Sequence, residues 1–373
     1  LFGQVVILIL IQIGGLGVIT IMSGFMISLH RKMGIKDRML IQDAFNLNTL
    51  SGIVKFIKKV LVGTFVVEGT GAILYMIVFV PEHGAKGIWI SIFNSISAFC
   101  NAGIDIISEN SLCDYALNPM INIVTSALII LGGIGYIVWW DVIRVIKDMR
   151  NKKLKCFSNL TLHSKIALSA TGVLIVVGAV VFFIFEYNNP LTMKDYSLFD
   201  KIQASLFQSV TTRTAGFATI PQQNLTNASA IVSLLLMFIG GSPVGTAGGI
   251  KTVTIAVLIF AAFATIKNKE DVVFFQRTIP KQAVSKAVAV VCILLSAVTN
   301  ANALDIAYET VSATATVGLT RNLTPILNIW GKLIVIVTMY LGRVGPISLV
   351  IALNTTKEKK NIIKNPTEEI SIG

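Results

Sequence analysis

The stretch Val210-Thr211-Thr212-Arg213-Thr214-Ala215-Gly216-Phe217 decides how the chain of 373 residues is organised, because it has two counterparts. One is Ser97-Ala98-Phe99-Cys100-Asn101-Ala102-Gly103-Ile104, and the other is Ser312-Ala313-Thr314-Ala315-Thr316-Val317-Gly318-Leu319. The three stretches share an Asn or Thr two residues before a glycine, an apolar residue after it, and nearly equal spacing along the chain. Self-similarity at a fixed period predicts a structure built from repeated units.

Each stretch is followed by a glycine cluster inside an apolar run, and a further cluster lies near the start of the chain. The clusters are Gly14-Gly15-Leu16-Gly17, Gly132-Gly133-Ile134-Gly135, Gly240-Gly241-Ser242-Pro243 and Gly342-Arg343-Val344-Gly345. Small residues alone would indicate only that membrane helices pack closely, which does not explain a matched loop upstream. Each full repeat is therefore predicted to hold an apolar crossing (M1), a short helix, a Thr/Asn-x-Gly loop and a second crossing (M2).

The first loop of the series is missing, because one period before Gly103 falls ahead of Leu1. Since Leu1 already lies in an apolar run, we expect a piece of a longer protein. Three complete repeats and the M2 of another are predicted. The boundaries are 1–50 for the second crossing of the truncated repeat 1 and a cytoplasmic loop, 51–160 for repeat 2, 161–278 for repeat 3 with a broken M2, and 279–373 for repeat 4 and the C-terminal tail.

Composition and charge indicate a multi-pass membrane protein. Hydrophobic residues make up 54% of the chain and charged residues 13%, whereas soluble domains carry about 25% charged residues. The net charge of +12 would suggest nucleic acid in a soluble protein, but Lys and Arg concentrate in 31–59, 144–165, 267–286 and 357–364. Basic segments stay cytoplasmic. We therefore expect the cell membrane, lipid as the surroundings, cytoplasmic basic loops and C-terminus, and no nucleic-acid partner.

The short helices, expected near 91–99, 201–212 and 303–314, cannot cross a bilayer. Irregular backbone at membrane depth is tolerated where it lines water, and loop carbonyls there can replace the water around a cation. Plain extracellular turns are the alternative, although two of the loops are rather apolar for that. The predicted ion-binding residues are Asn101, Ala102, Gly103, Ile104, Thr214, Ala215, Gly216, Phe217, Thr316, Val317, Gly318 and Leu319, with potassium there as the only metal.

The third repeat departs from the others between 240 and 252, where five glycines and a proline cannot continue a helix. A phosphate-binding loop is excluded, because the spacing Gly-x-x-x-x-Gly-Lys-Ser/Thr is not met. We interpret the break as a gate, with a passive kink as the alternative. Arg343, a charge in the middle of the last crossing, should face the interior and contact the break, with a purely structural tether as the alternative to a gating role. The predicted gating residues are Gly240, Gly241, Ser242, Pro243, Gly245, Thr246, Gly248, Gly249, Lys251 and Arg343.

These motifs resemble those of the Trk/Ktr/HKT superfamily of potassium transporters, most closely the Ktr membrane subunit. The resemblance rests on residues 13–17, 213–217, 240–251, 316–321, 342–346 and the tail 366–373. It implies an all-α membrane protein whose M1–pore loop–M2 repeats surround one ion pore in pseudo-fourfold arrangement. It also implies a glycine selectivity filter, a homodimer with one pore per subunit, and a cytosolic RCK-type ring that binds nucleotide, which this chain does not.

The transported ion is expected to be K⁺, with Na⁺ as the alternative because the first loop is missing. An ion-coupled secondary transporter often has broken helices and inverted repeats, but the repeats here run in one sense. A non-conducting membrane sensor is a further alternative. No His, Asp or Glu constellation recurs within a span, so we expect no enzyme.

Overall fold

The computed structural model describes residues 1–29, 34, 52–108, 110–149, 159–266, 273–274, 277–278 and 303–326, and parts of 332–340. This part of the chain is almost entirely helical. Two short antiparallel strands, β1 (Val273–Phe274) and β2 (Arg277–Thr278), are the exception within it. The helices are α1 (Phe2–Leu16), α2 (Val18–Ser28), α3 (Ile53–His83), α4 (Ala85–Phe99), α5 (Pro119–Gly133), α6 (Tyr136–Met149), α7 (Leu162–Glu186), α8 (Leu198–Thr211), α9 (Asn227–Phe238), α10 (Thr252–Ile266), α11 (Ala303–Thr314) and α12 (Leu323–Ile326).

The long helices α3 and α7 fit a bilayer. They have 31 and 25 residues, so at 1.5 Å per residue they are about 46 and 38 Å long, more than the roughly 30 Å of a hydrocarbon core. Among the described residues these two qualify as membrane spans, and the number rises to four if the bent pairs α1/α2 and α5/α6 each count as one span.

The same order of elements occurs twice. A long helix is followed by a short one, a loop and an interrupted apolar helix: α3, α4 and α5/α6, then α7, α8 and α9/α10. The long helix touches its short helix in the same way both times. Ser95 Oγ donates to the Glu68 carbonyl at 2.6 Å, and Ser209 Oγ donates to the Ile175 carbonyl at 2.8 Å. These contacts support the repeat units, whose boundaries stay predictions.

Four of the helices begin at a capping side chain, which accepts a hydrogen bond from a backbone amide of the first turn. Asn118 caps α5 and is followed by Pro119, a residue suited to a first helical position. The other capping residues are Thr161 for α7, Ser197 for α8 and Thr226 for α9.

Two connections differ from the sequence-based expectation. The run 120–142 reads as one crossing, but α5 and α6 meet at an angle of 100° at a break after Gly133. The short helix α4 begins at Ala85 rather than near 91, because α3 passes into it through Gly84 alone, with φ 59° and ψ −138°. The corresponding connection from α7 to α8 covers residues 187–197.

Candidate functional site

Three glycine loops, defined as residues 101–104, 214–217 and 316–319, follow the C-terminal ends of α4, α8 and α11. The loops converge. A β-carbon added to Gly103 would overlap the Ala215 carbonyl oxygen, and one added to Gly216 would lie 3.0 Å from the Gly103 Cα and 3.5 Å from the Gly318 Cα. One added to Gly318 would lie 3.7 Å from the Ala102 carbonyl oxygen. The residues predicted from the three repeats are therefore brought together in space.

The three loops share one backbone conformation. The glycines have φ values of 67°, 92° and 92°, and the residue two positions earlier is also left-handed, at 52°, 66° and 54°. A positive φ is strained for most residues, although Asn tolerates it better than others and Gly adopts it freely. The recurring spacing of Asn or Thr and Gly therefore corresponds to two left-handed residues separated by one. Those residues are Asn101 and Gly103, Thr214 and Gly216, and Thr316 and Gly318.

Each loop is anchored to its own short helix by the amide immediately before the glycine. Ala102 N donates to the Ser97 carbonyl at 2.9 Å, Ala215 N to Thr211 at 3.0 Å and Val317 N to Ser312 at 2.8 Å. The last carbonyls of a helix have no partner within the helix, so these bonds satisfy some of them. They also fix the direction in which each loop leaves the helix.

The apolar residue after the glycine is placed differently in the three loops. Phe217 and Leu319 are buried, whereas Ile104 is 44% exposed. The polar loop residues Asn101 and Thr214 are buried too, which is unlike a solvated turn. The alternative of plain extracellular turns is therefore disfavoured for the second loop above all.

Residues 240–251, the break loop, interrupt the apolar run between α9 and α10 as the sequence predicts. The two ends of the loop are held together. Gly240 N donates to the Ile250 carbonyl at 2.9 Å, Ile250 N to Phe238 at 3.2 Å and Thr252 N to Gly241 at 3.0 Å. Lys251 Nζ donates to the Ala247 carbonyl at 2.7 Å, so this cation binds the loop itself. Arg343 lies outside the described residues.

The break loop packs into the bend between α5 and α6. The bend frees the carbonyls of Gly132 and Gly133, which accept hydrogen bonds from Thr246 N at 3.0 Å and Ser242 N at 2.8 Å. In the other direction, Tyr136 N donates to the Val244 carbonyl at 2.9 Å. Since backbone polar groups at membrane depth must find partners in the protein or in cavity water, the interrupted helix of repeat 2 and the break of repeat 3 satisfy each other.

The break loop also contacts all three glycine loops. Thr246 Oγ1 donates to the Phe99 carbonyl at 2.8 Å and lies 3.1 Å from Asn101 Oδ1. Gly248 N donates to Thr214 Oγ1 at 3.2 Å. A β-carbon on Gly248 would overlap Thr316 Oγ1, so the third loop lies against the same residue.

Arg213, immediately before the second glycine loop, is 7% exposed. Its Nη2 donates to the Gly240 carbonyl at 3.2 Å and to Thr171 Oγ1 at 3.4 Å, while Nε has no hydrogen-bond partner in the part of the chain that the structure describes. A small cavity beside it is lined also by Ile130, Ile175 and Gly241. The guanidinium therefore connects the second glycine loop to the start of the break loop.

Sequence reasoning missed Glu68, which is buried in α3 directly behind the first glycine loop. Gln12 Nε2 from α1 lies 3.1 Å from both carboxyl oxygens, and Cys100 Sγ lies 3.8 Å from Oε1. The corresponding residue of repeat 3 is Ile175. A signal was available, since Glu68 is the one acidic residue of the apolar run 60–80 and an intramembrane carboxylate is costly without a function.

The segment after the first glycine loop carries a partly buried carboxyl group. Burial raises the pKa of Asp105 above its ordinary value, although hydrogen bonds from Ser111 and from the Ile107 and Ser108 amides oppose the shift. Asp105 therefore keeps its proton up to a higher pH than a solvated aspartate. No cluster of three potential metal ligands among His, Cys, Asp and Glu occurs within the described residues.

Comparison with known proteins yields a consistent family. A family model described as "Cation transport protein" (TrkH) matches residues 2–364. The Ktr system potassium uptake protein B of Bacillus subtilis is 39% identical over 383 residues, which covers 100% of this chain and 83% of the relative. The potassium/sodium uptake protein NtpJ of Enterococcus hirae is 39% identical over 387 residues, with the same coverage of both chains.

A solved structure supports the fold. The potassium transporter TrkH from Vibrio parahaemolyticus matches with a TM-score of 0.69 and 18% identity, covering 93% of this chain and 71% of that one. The all-helical membrane fold and the resemblance to the Trk/Ktr superfamily are thus confirmed, and so is the expectation of a transport protein rather than an enzyme. Because the family match and two full-length relatives agree, this chain belongs to the TrkH family of cation transport proteins.

Proposed function

We propose that this protein takes up potassium across the cell membrane through a pore whose selectivity filter includes the three glycine loops. The observation that carries the proposal is the convergence of three loops with one backbone conformation, each at the C-terminal end of a short helix. In a strand, neighbouring carbonyls point in opposite directions. Left-handed residues at alternate positions break this alternation of carbonyl directions, so that several carbonyls of one loop can face the same ion.

Two physical effects favour a cation at the point of convergence. Backbone carbonyls can replace the hydration shell of a potassium ion. The C-terminal ends of α4, α8 and α11 each add partial negative charge, equivalent to about half an elementary charge per helix. The proposed site therefore needs no carboxylate. The relatives are named for potassium and for potassium/sodium uptake, which makes K⁺ the proposed ion and Na⁺ its competitor.

The filter is tested by serine substitutions at Gly216 and Gly318 in the full-length gene, expressed in a bacterium that lacks potassium uptake. Both residues have φ 92°, a conformation in which a side chain is strained, so each variant should grow poorly at limiting potassium and show a lower K⁺/Na⁺ uptake ratio. Gly172→Ser is the matched control, because a β-carbon there meets nothing within 4 Å. Growth equal to wild type in both variants would remove the filter assignment.

We infer further that the break loop is the gate. Its support is its position against all three glycine loops and a composition that cannot form a helix. Arg343, at the corresponding position of repeat 4, is proposed to hold the gate closed. Arg343→Ala should then increase K⁺ flux in proteoliposomes. An unchanged or lower flux at normal expression would contradict this role.

The assembly proposed is a homodimer with one pore per subunit and a cytosolic RCK-type regulatory ring that binds nucleotide. Its support is the resemblance of the whole chain to Ktr system proteins. The mass of the purified membrane protein, with and without a co-expressed regulatory subunit, tests it. A monomer that binds no second subunit would contradict it.

A further inference from the structure

The first glycine loop is bonded to the break loop through one hydroxyl group. Thr246 Oγ1 lies within hydrogen-bond distance of the Phe99 carbonyl and of Asn101 Oδ1. A hydroxyl has one proton to donate, and the buried Asn101 Nδ2 has no partner among the described residues. Exchanging the oxygen and nitrogen of the Asn101 amide satisfies both groups: Nδ2 donates to Thr246 Oγ1, and Thr246 donates to Phe99.

These bonds hold the part of the chain that sets the loop conformation. Phe99 is the last residue of α4, and Asn101 is the left-handed residue with which the glycine loop begins. A non-glycine residue with positive φ is held in place by its surroundings, since the conformation costs energy by itself. Thr246 supplies that support from a different repeat, 145 residues along the chain.

The break loop touches the same position of the other two glycine loops. Thr214 and Thr316 are the left-handed residues equivalent to Asn101. Thr214 Oγ1 accepts a hydrogen bond from Gly248 N, and Thr316 Oγ1 lies against Gly248. One segment therefore contacts, in each of three loops, the residue two positions before the glycine.

We propose that the break loop positions the filter as well as gating it, so that its displacement changes ion selectivity and not flux alone. The inference rests on the function proposed for the glycine loops and the break loop. Thr246 is the positioning residue on which the inference depends most, because its side chain bonds both to the Phe99 carbonyl at the end of α4 and to Asn101 in the first glycine loop. A gate of this kind loses its selectivity for potassium when the contacts between the two loops are broken.

The test compares Thr246→Val with Thr246→Ser in the full-length protein, reconstituted in proteoliposomes. Valine keeps the shape of threonine but cannot bond, so the K⁺/Na⁺ uptake ratio should fall about three- to tenfold, the effect of losing one or two hydrogen bonds. Serine should keep the wild-type ratio. Thr252→Val is the matched control, because the hydroxyl of Thr252, the first residue of α10, bonds at 3.0 Å to Ser242 of the break loop rather than to a glycine loop. It should leave the ratio unchanged.

The outcomes separate this inference from the function on which it rests. A Thr246→Val protein with altered flux but a wild-type K⁺/Na⁺ ratio would overturn the inference, as would an equal loss in Thr252→Val. Gly216→Ser in the same assay reports on the filter itself, and a wild-type ratio in that variant would mean that the proposed function has failed. If Thr246→Val does not yield stable protein, Thr246→Cys, with a weaker donor of similar size, is measured for the same ratio.

Discussion

Gly132 and Gly133 are neighbours at the end of α5, yet an added methyl group would meet different surroundings at the two positions. At Gly132 it would overlap the Phe99 carbonyl oxygen and lie 2.7 Å from Thr246 Oγ1. At Gly133 its nearest neighbours are the Ala247 Cβ and Asn101 Nδ2, both at 3.5 Å, an ordinary contact distance. The pair thus compares how closely α5 approaches the end of α4 and the break loop at two adjacent positions.

We predict that Gly132→Ala lowers the free energy of unfolding by about 1–3 kcal/mol, the usual cost of overpacking. Gly133→Ala should change it by less than about 0.5 kcal/mol. The measurement is thermal unfolding of both variants in the same detergent, with wild type beside them. Equal losses of stability would contradict the close approach of α5 to the end of α4.

At the residue scale, what the sequence could predict depends on whether the requirement is local. The sequence predicts Gly103, Gly216 and Gly318 because a positive φ is a requirement on a single residue. Glycine meets that requirement best, so a glycine recurs at this position in each repeat. The sequence does not predict the contact between Thr246 and Asn101 or the contact between Glu68 and Gln12. They join residues 145 and 56 positions apart, and nothing in the sequence pairs them.

At the scale of the elements, buried carboxylates join the end of one helix to the start of another. Asp141 in α6 accepts hydrogen bonds from Thr161 N at 2.8 Å and Thr161 Oγ1 at 2.9 Å, at the beginning of α7. Glu186 at the end of α7 does the same for Thr226, at the beginning of α9, at 2.9 and 2.8 Å. The bonds of Asp141 join repeat 2 to repeat 3, and those of Glu186 join two helices within repeat 3.

Asp141→Ala should therefore lower the free energy of unfolding by about 1–3 kcal/mol, because it leaves polar groups of the α7 N-terminus without a partner. Asp200→Ala is a suitable control, since Asp200 makes a similar bond to Ser197 at an exposed site and should cost about 1 kcal/mol or less. Thermal unfolding in detergent measures both. A larger effect at Asp200 would contradict the structural role of Asp141.

Whether an element could be predicted depends on whether its own residues exclude the alternative structure. The break loop was predicted because its glycines and proline exclude a helix over a whole segment. The 100° bend between α5 and α6 was not, because apolar residues on both sides of Gly135 read as one continuous crossing. The bend becomes understandable once the break loop of another repeat is seen to bond to the carbonyls that it frees.

For the whole molecule, the charge distribution predicts the orientation in the membrane. Lys147 lies near the C-terminal end of α6, on the side assigned to the cytoplasm, and Lys194 lies between α7 and α8, on the side assigned to the exterior. Both are exposed in the structure. Cysteine substitutions at the two positions place a label on each side.

We expect an impermeant thiol reagent to label Lys194→Cys in intact cells and Lys147→Cys only after the membrane is opened. The background carries Cys113→Ser, because Cys113 is partly exposed, together with Cys156→Ser and Cys292→Ser, which remove the two cysteines outside the described residues. Labelling of Lys147→Cys in intact cells would contradict the orientation. The repeat boundaries, the dimer and the regulatory ring remain predictions on this scale.

The single residue between α3 and α4 has a practical consequence. Gly84 is the only residue between the two helices. A β-carbon on nearby Gly87 would overlap the Phe79 carbonyl oxygen, so the helices are in close contact and an inserted residue could not be accommodated between them. The eleven-residue connection 187–197, with exposed residues at Lys194 and Asp195, is the place to insert an affinity tag or a fluorescent reporter. The same insertion at Gly84 would displace α4 from its packing against α3.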